Sequence, residues 1–115
     1  MKMYIAVLDI FPVYMTPTLV GHSVLGHHYE TYETDNTKQS NYQSLYQYWF
    51  HESFKKCVVQ VNRKEFDKIA QLPNVGLFHE NKTLDGMKAC AVLVVDKEIP
   101  NVLKFAKLWH PYIEN

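Results

Sequence analysis

Two short, almost wholly apolar runs constrain the fold of this chain more than any other feature. They are residues 4–8 (YIAVL) and residues 89–95 (ACAVLVV). Both are short for a helix, and neither alternates apolar with polar residues as a strand with one wet face does. This pattern is typical of strands that are covered on both faces of an α/β sheet. We therefore expect both runs to lie in the interior of one sheet.

The first helix is predicted to begin at Thr16, because a hydroxyl that can cap a helix precedes Pro17, and proline is favoured at the first helical position. This helix should run to about Tyr32. A stripe at four- and seven-residue steps carries Thr18, His22 and Tyr29. The residues that we expect to face the core are Val20, Val24, Leu25 and Tyr32.

The remaining segments complete the pattern of an α/β domain. Tyr42, Leu45, Tyr46 and Trp49 have the i, i+3, i+4, i+7 spacing of an amphipathic helix. The later elements are a strand at 57–61, a helix opened by Asn62 and Glu65, a short strand at 75–79 and a last helix through 99–106. The predicted order is β-α-α-β-α-β-β-α. We expect a single domain over residues 1–115, with a four-stranded mixed sheet flanked by helices.

The charge of the chain argues against one class of function. Twelve basic residues balance twelve acidic ones, so the formal net charge is zero when the histidines are neutral. Binding of nucleic acid through bulk charge requires a cationic footprint, which this balance does not supply. Most of the basic residues lie after residue 54, so a modest basic face is still compatible with the sequence. We expect any binding of nucleic acid to be weak and steeply dependent on salt.

The two cysteines and the hydropathy indicate a reducing compartment. Cys57 and Cys90 each lie in an apolar run, and we expect both to be reduced and buried. A disulfide framework in a small secreted domain uses more cysteines than two. The sequence shows neither an apolar segment long enough to span a membrane nor the apolar core of a signal peptide. A cytoplasmic protein without membrane contact is therefore expected.

Four segments carry a likeness to a known family. They are the strand at 4–8, the segment 15–29 (MTPTLVGHSVLGHHY), the segment 55–72 (KKCVVQVNRKEFDKIAQL) and the turn and strand at 85–95 (DGMKACAVLVV). With the order of the elements, they resemble the type II (archaeal and eukaryotic) peptidyl-tRNA hydrolases, including short phage-encoded proteins labelled aminoacyl- or peptidyl-tRNA hydrolases. The resemblance implies hydrolysis of the ester that links a peptide or an amino acid to tRNA.

The first helix departs from the motif of this family. When His22 is aligned with the family's histidine, Leu19 stands where the family has a glutamine, and Met15 stands near its lysine. Residues 15–21 contain no lysine, although in the family this lysine supplies the cationic group of the active site. We therefore expect hydrolysis to be slower than in family members that keep both residues.

The candidate catalytic residues are His22, Asp9 and Thr83. Ester cleavage needs an activated water, and His22 can act as its general base because imidazole titrates near pH ~6.5. Asp9 ends the first strand, at the edge where open α/β sheets bind ligands, and can orient a histidine or a hydroxyl. Thr83 matches, through the resemblance, a threonine in the family's polar turn. A purely structural role stays open for two of these residues. His22 can be a partly buried side chain that is hydrogen-bonded to a backbone carbonyl, and Asp9 can cap nearby backbone amides.

The candidate ligand-binding residues come from two elements. Thr18 and Tyr29 share the helix stripe of His22, and Asp85 and Lys88 lie in the turn before the last apolar strand. Lys88 can replace the cation that the first helix lacks. The alternative for the second pair is an ordinary exposed hairpin turn.

The histidines do not predict a metal site. His27 and His28 follow His22 at spacings of five and six, whereas two imidazoles on one helix face need a spacing of four. We expect neither a metal nor a cofactor.

Three functions are compatible with the sequence. The first is hydrolysis of peptidyl- or aminoacyl-tRNA with a degenerate motif. The second is a non-catalytic, phage-type module that sequesters a nucleotide-like ligand or blocks a protein partner. The third is a homodimer joined through the aromatic second helix, because tyrosine-rich surfaces suit protein contacts.

Overall fold

A mixed sheet of five strands organises the structure, a computed structural model that describes residues 1–33, 41–79 and 88–111. The strands are β1 (Lys2–Leu8), β2 (Lys56–Val61), β3 (Gly76–His79), β4 (Lys88–Val95) and β5 (Lys107–Leu108). Their order across the sheet is β3-β4-β1-β2-β5. The pairing of β1 with β2 is parallel, and the other pairings are antiparallel.

Four α-helices accompany the sheet within the described residues. They are α1 (Thr16–His28), α2 (Asn41–Tyr48), α3 (Arg63–Ala70) and α4 (Asn101–Lys104). The first two helices each continue into a π-helical turn, Tyr29–Glu33 after α1 and Trp49–Ser53 after α2. The helical stretch that begins at Thr16 therefore extends past Tyr32, as the sequence predicts.

The predicted number of strands was wrong by one. The fifth strand, β5, follows α4 and pairs with β2 at the edge of the sheet, so that the order of elements becomes β-α-α-β-α-β-β-α-β. It consists of Lys107 and Leu108, both exposed. Two exposed residues have no alternation and no apolar run, so the sequence carries no local signal for this strand.

The two apolar runs lie in the interior of the sheet, as predicted. The central strand β1 lies between β4 and β2, and β4 lies between β3 and β1. Every residue from Met3 to Leu8 and from Ala89 to Val95 is buried. The mixed α/β architecture is thus confirmed, with the fifth strand added.

Helices cover both faces of this sheet because alternate side chains of β1 point to opposite sides. On one face, Tyr4 and Leu8 share a core cluster with Phe66 of α3 and Leu103 of α4. On the other face, Met3 and Ile5 cluster with aromatic residues of the second helical segment, Tyr46 and Trp49. Helix α1 lies on this second face, where Leu19 clusters with Val7 and Cys90.

The buried side of α1 differs from the prediction. Thr16, Leu19, Ser23 and His27 are buried, whereas Leu25 is 72 % exposed and Val20 and Val24 are only partly buried. The expectation that Leu25 faces the core was wrong. A side with short polar residues can be buried here because the Ser23 hydroxyl donates to the Leu19 carbonyl oxygen at 2.7 Å, so that this polar group is satisfied inside the helix.

Two local predictions are confirmed by contacts. Asn62 and Glu65 form a reciprocal cap at the start of α3: the Glu65 amide donates to Asn62 Oδ1 at 2.8 Å, and the Asn62 amide donates to Glu65 Oε1 at 3.0 Å. In the second helical segment, Tyr46 and Trp49 are almost fully buried, as the amphipathic spacing predicts.

The cysteines are free thiols in different environments. Cys90 is buried, as expected, and burial raises the pKa of its thiol to about 11. Cys57 is only partly buried, so the expectation of full burial was wrong for this residue. We expect a thiol reagent to label Cys57 before Cys90 in the native protein, because Cys57 is the more exposed of the two thiols. Mass spectrometry of a labelling time course checks the order, and equal native rates at the two thiols would contradict it.

Candidate functional site

Two of the predicted site residues lie at the adjoining ends of neighbouring strands of the sheet. Asp9 directly follows β1, and its amide donates to the Val61 carbonyl oxygen of β2 at 2.9 Å. Lys88 is the first residue of β4, which runs antiparallel to β1 with Val7 opposite Cys90. The end of β1 therefore meets the start of β4. Asp9 and Lys88 are both exposed at this place, which we call the β1 edge.

The first part of α1 lies near the β1 edge, because Leu19 clusters with Val7 and Cys90 at that end of the strands. Thr18 is exposed close to the start of this helix. His22 is also exposed, so the interpretation of a partly buried histidine does not hold. Tyr29 is exposed just beyond the far end of α1, and the structure does not bring it to the β1 edge.

The other predicted site residues, Thr83 and Asp85, lie outside the described residues. In the described ranges, no group of three or more His, Cys, Asp or Glu side chains is placed to hold a metal ion. The described part of the β1 edge therefore offers one carboxylate and one ammonium group. Such a pair can hold a polar ligand and can stabilise a developing negative charge.

A second polar cluster, which the sequence did not predict, is buried at the far end of α1. The His27 side chain is 2 % exposed, and its Nε2 lies 2.7 Å from the Tyr42 hydroxyl oxygen of α2. This oxygen accepts a hydrogen bond from the backbone amide of Val94 in β4 at 2.9 Å. The cluster thus connects α1, α2 and β4.

Burial determines the protonation of this cluster. It lowers the pKa of His27 from 6.5 to about 4, with a smaller contribution from the neighbouring His28, so His27 is neutral at neutral pH. Burial also raises the pKa of Tyr42. A neutral imidazole and a neutral phenol can share a hydrogen bond, but a histidine of such low pKa is a weak general base.

Two further histidine–tyrosine contacts lie beside the first. His28 Nδ1 is 3.1 Å from the Tyr46 hydroxyl oxygen, and His51 Nε2 is 2.9 Å from the Tyr32 hydroxyl oxygen. All of these bonds join the first helical segment to the second. The signal in the sequence was the density of His and Tyr in these segments, but partners 15 to 19 residues apart cannot be assigned from spacing alone.

No family model matches this sequence, and no curated protein matches it either. In the described part of the chain, no helix is long and apolar enough to cross a membrane.

Proposed function

We propose that this chain is a peptidyl-tRNA hydrolase-like domain that acts, slowly, on the ester of an RNA-linked peptide or amino acid at the β1 edge. The observation that carries the proposal is that Asp9 and Lys88, both exposed, lie at the adjoining ends of the paired strands β1 and β4. Lys88 supplies from β4 the cation that the first helix lacks. The order of elements on which the resemblance rests is present, with β5 added after it.

Each group in the proposed reaction has one role. His22 accepts a proton from the attacking water, and the water oxygen bonds to the ester carbonyl carbon. The ammonium group of Lys88 stabilises the oxyanion, and Asp9 orients the reacting groups. The bond from this carbon to the ribose oxygen then breaks, and the ribose oxygen takes the proton. This substrate places the protein in the cytoplasm.

The position of Leu19 supports a slow reaction. Leu19 stands where the resembled family has a glutamine, and here it is 2 % exposed and clusters with Val7 and Cys90. A buried leucine can neither orient water nor donate to an oxyanion. Losing one such donor typically costs ~10²–10³ in rate, and two losses need not add.

Turnover of a peptidyl-tRNA by purified variants tests this proposal. We expect low but measurable wild-type activity, which falls by about 10²-fold in Lys88→Ala and in His22→Ala because each substitution removes a group that acts on the reacting atoms. Lys97→Ala is the matched control, since Lys97 is an exposed lysine after the opposite end of β4 and its loss should leave turnover unchanged.

The outcomes separate this proposal from its alternatives. Rates equal to those of hydrolases with the intact motif would show that the alignment of α1 is wrong. Equal losses of turnover in Lys88→Ala and Lys97→Ala would show that the effect comes from the net charge of the protein and not from the position of Lys88. Absent turnover with Lys88-dependent binding of tRNA would favour the non-catalytic module, an alternative that the burial of Leu19 supports.

A further inference from the structure

A cavity of about 220 Å³ lies beside His27, away from the β1 edge. Its walls come from the end of α1, the following turn, the start of α2 and the segment before β3. The lining residues are His27, Glu30, Thr31, Tyr42, Gln43, Asn74, Val75 and Gly76. Most of these side chains are polar, and Gln43 and Asn74 each carry an amide that both donates and accepts.

The hydrogen bonds of Tyr42 determine which nitrogen of His27 carries the proton. The Tyr42 oxygen accepts from the Val94 amide, and within the described chain its other partner is His27 Nε2. The Tyr42 oxygen already accepts one hydrogen bond, and a donation of its own single proton to Nε2 satisfies the hydroxyl fully, so we assign the proton of this bond to Tyr42. Neutral His27 therefore carries its proton on Nδ1.

The Nδ1–H group of His27 has no hydrogen-bond partner among the described residues, although it is buried. Leaving a buried donor unpaired is unfavourable, and a ligand that offers an acceptor removes this penalty. Gly76 lies against this nitrogen, since a Cβ atom at position 76 would stand 2.5 Å from it. Glycine therefore leaves the space beside Nδ1 that a larger residue would fill.

The charge and the volume of the cavity restrict the ligand. Glu30 is the acidic side chain of the lining and His27 is neutral, so the walls do not favour an anion. The volume lies below the ~300–1,000 Å³ of typical drug-sized sites, so the cavity accommodates about one ring.

We propose that this cavity binds a small, neutral, planar molecule whose ring carries a carbonyl oxygen beside an N–H group, such as a nucleobase. The carbonyl oxygen accepts from His27 Nδ1–H, and the adjacent groups pair with the amides of Gln43 and Asn74. Residues 74–76 line the cavity on the side of Nδ1. The left-handed backbone of Asn74, with φ of 68°, lies in this segment. The site does not depend on the proposed hydrolase activity.

A titration with uracil tests the proposal on the isotope-labelled chain of residues 1–115. Uracil should shift the backbone amide signals of 74–76 and the Nδ1 proton signal of His27, with an affinity roughly in the millimolar range for so small a probe. Pyrimidine, the same ring without carbonyl groups, should bind about tenfold more weakly. Equal binding of the two probes would overturn the role of the carbonyl group.

Two variants test the residues. His27→Phe keeps an aromatic ring but removes the donor, and should weaken uracil binding by about tenfold. Asn74→Gly removes an amide from the lining while it suits the left-handed backbone, so it should fold and bind uracil more weakly. If His27→Phe does not fold, the binding of uracil by Asn74→Gly and the comparison of uracil with pyrimidine test the proposal instead. No shift at the solubility limit of uracil, or unchanged binding by the folded variants, overturns the proposal.

Discussion

Acidification from pH 6.5 to pH 4 should reduce the free energy of unfolding by about 3 kcal/mol through His27 alone. The folded protein binds this proton only near pH 4, because burial lowers the pKa of His27, whereas the unfolded chain binds it near 6.5. The unfolded state therefore holds more protons throughout this window. The stabilisation is fully present above pH 6.5 and is lost as the pH falls to about 4.

Urea denaturation at neutral pH and at about pH 4 measures this loss. His27→Gln removes the titrating group, so its stability should fall less on acidification than that of the wild type, although it is less stable at neutral pH. His22→Gln is the matched control, because His22 is an exposed histidine on the same helix. Equal losses in the wild type and in His27→Gln would show that protonation of His27 does not couple to unfolding.

Alanine at Gly26 should destabilise the protein, whereas alanine at Gly21 should stabilise it. A Cβ at position 26 would lie 2.5 Å from Cε1 of the Phe78 ring, but one at position 21 would have no neighbour within 4 Å. The Phe78 ring also lies close to Gly76, where a Cβ would stand 2.7 Å from it. Overpacking typically costs ~1–3 kcal/mol, and replacing an exposed helical glycine with alanine gains up to ~1 kcal/mol.

The free energies of unfolding of the two variants check this contrast, since both glycines lie in α1 and undergo the same substitution. Adding Phe78→Leu to Gly26→Ala should recover part of the loss, because leucine is smaller than phenylalanine. The same change in stability for Gly21→Ala and Gly26→Ala would contradict the close approach of Phe78 to α1.

Prediction from the sequence succeeded for features that depend on residues close together in the chain. A strand covered on both faces needs consecutive apolar residues, and β1 and β4 show them. The cap formed by Asn62 and Glu65 also depends on residues three apart, so it can be read directly from the sequence. Prediction failed for the side of α1 that faces the sheet and for β5.

The failure at α1 has a physical cause. Leu25 is apolar but exposed, and the same helix buries Ser23 and His27, so hydropathy indicates the wrong side. Gly26 lets the Phe78 ring approach the helix closely, and the Ser23 hydroxyl is satisfied within the helix. The approach of Phe78 depends on β3, which is about fifty residues further along the chain, and no local pattern encodes it.

At the β1 edge, too, the sequence determined one part of the site and the tertiary structure the other. The sequence by itself determined that Asp9 follows a buried strand and that Lys88 precedes another, because apolar runs mark the ends of such strands. Only the tertiary structure decided that the two ends lie side by side, since this depends on the antiparallel register of β4 on β1.

The tertiary structure also distinguishes His27 from the other five of the six histidines, because burial lowers its pKa and the Tyr42 hydroxyl lies beside it. Burial and partner choice arise from packing between distant segments, and a linear sequence does not record that packing.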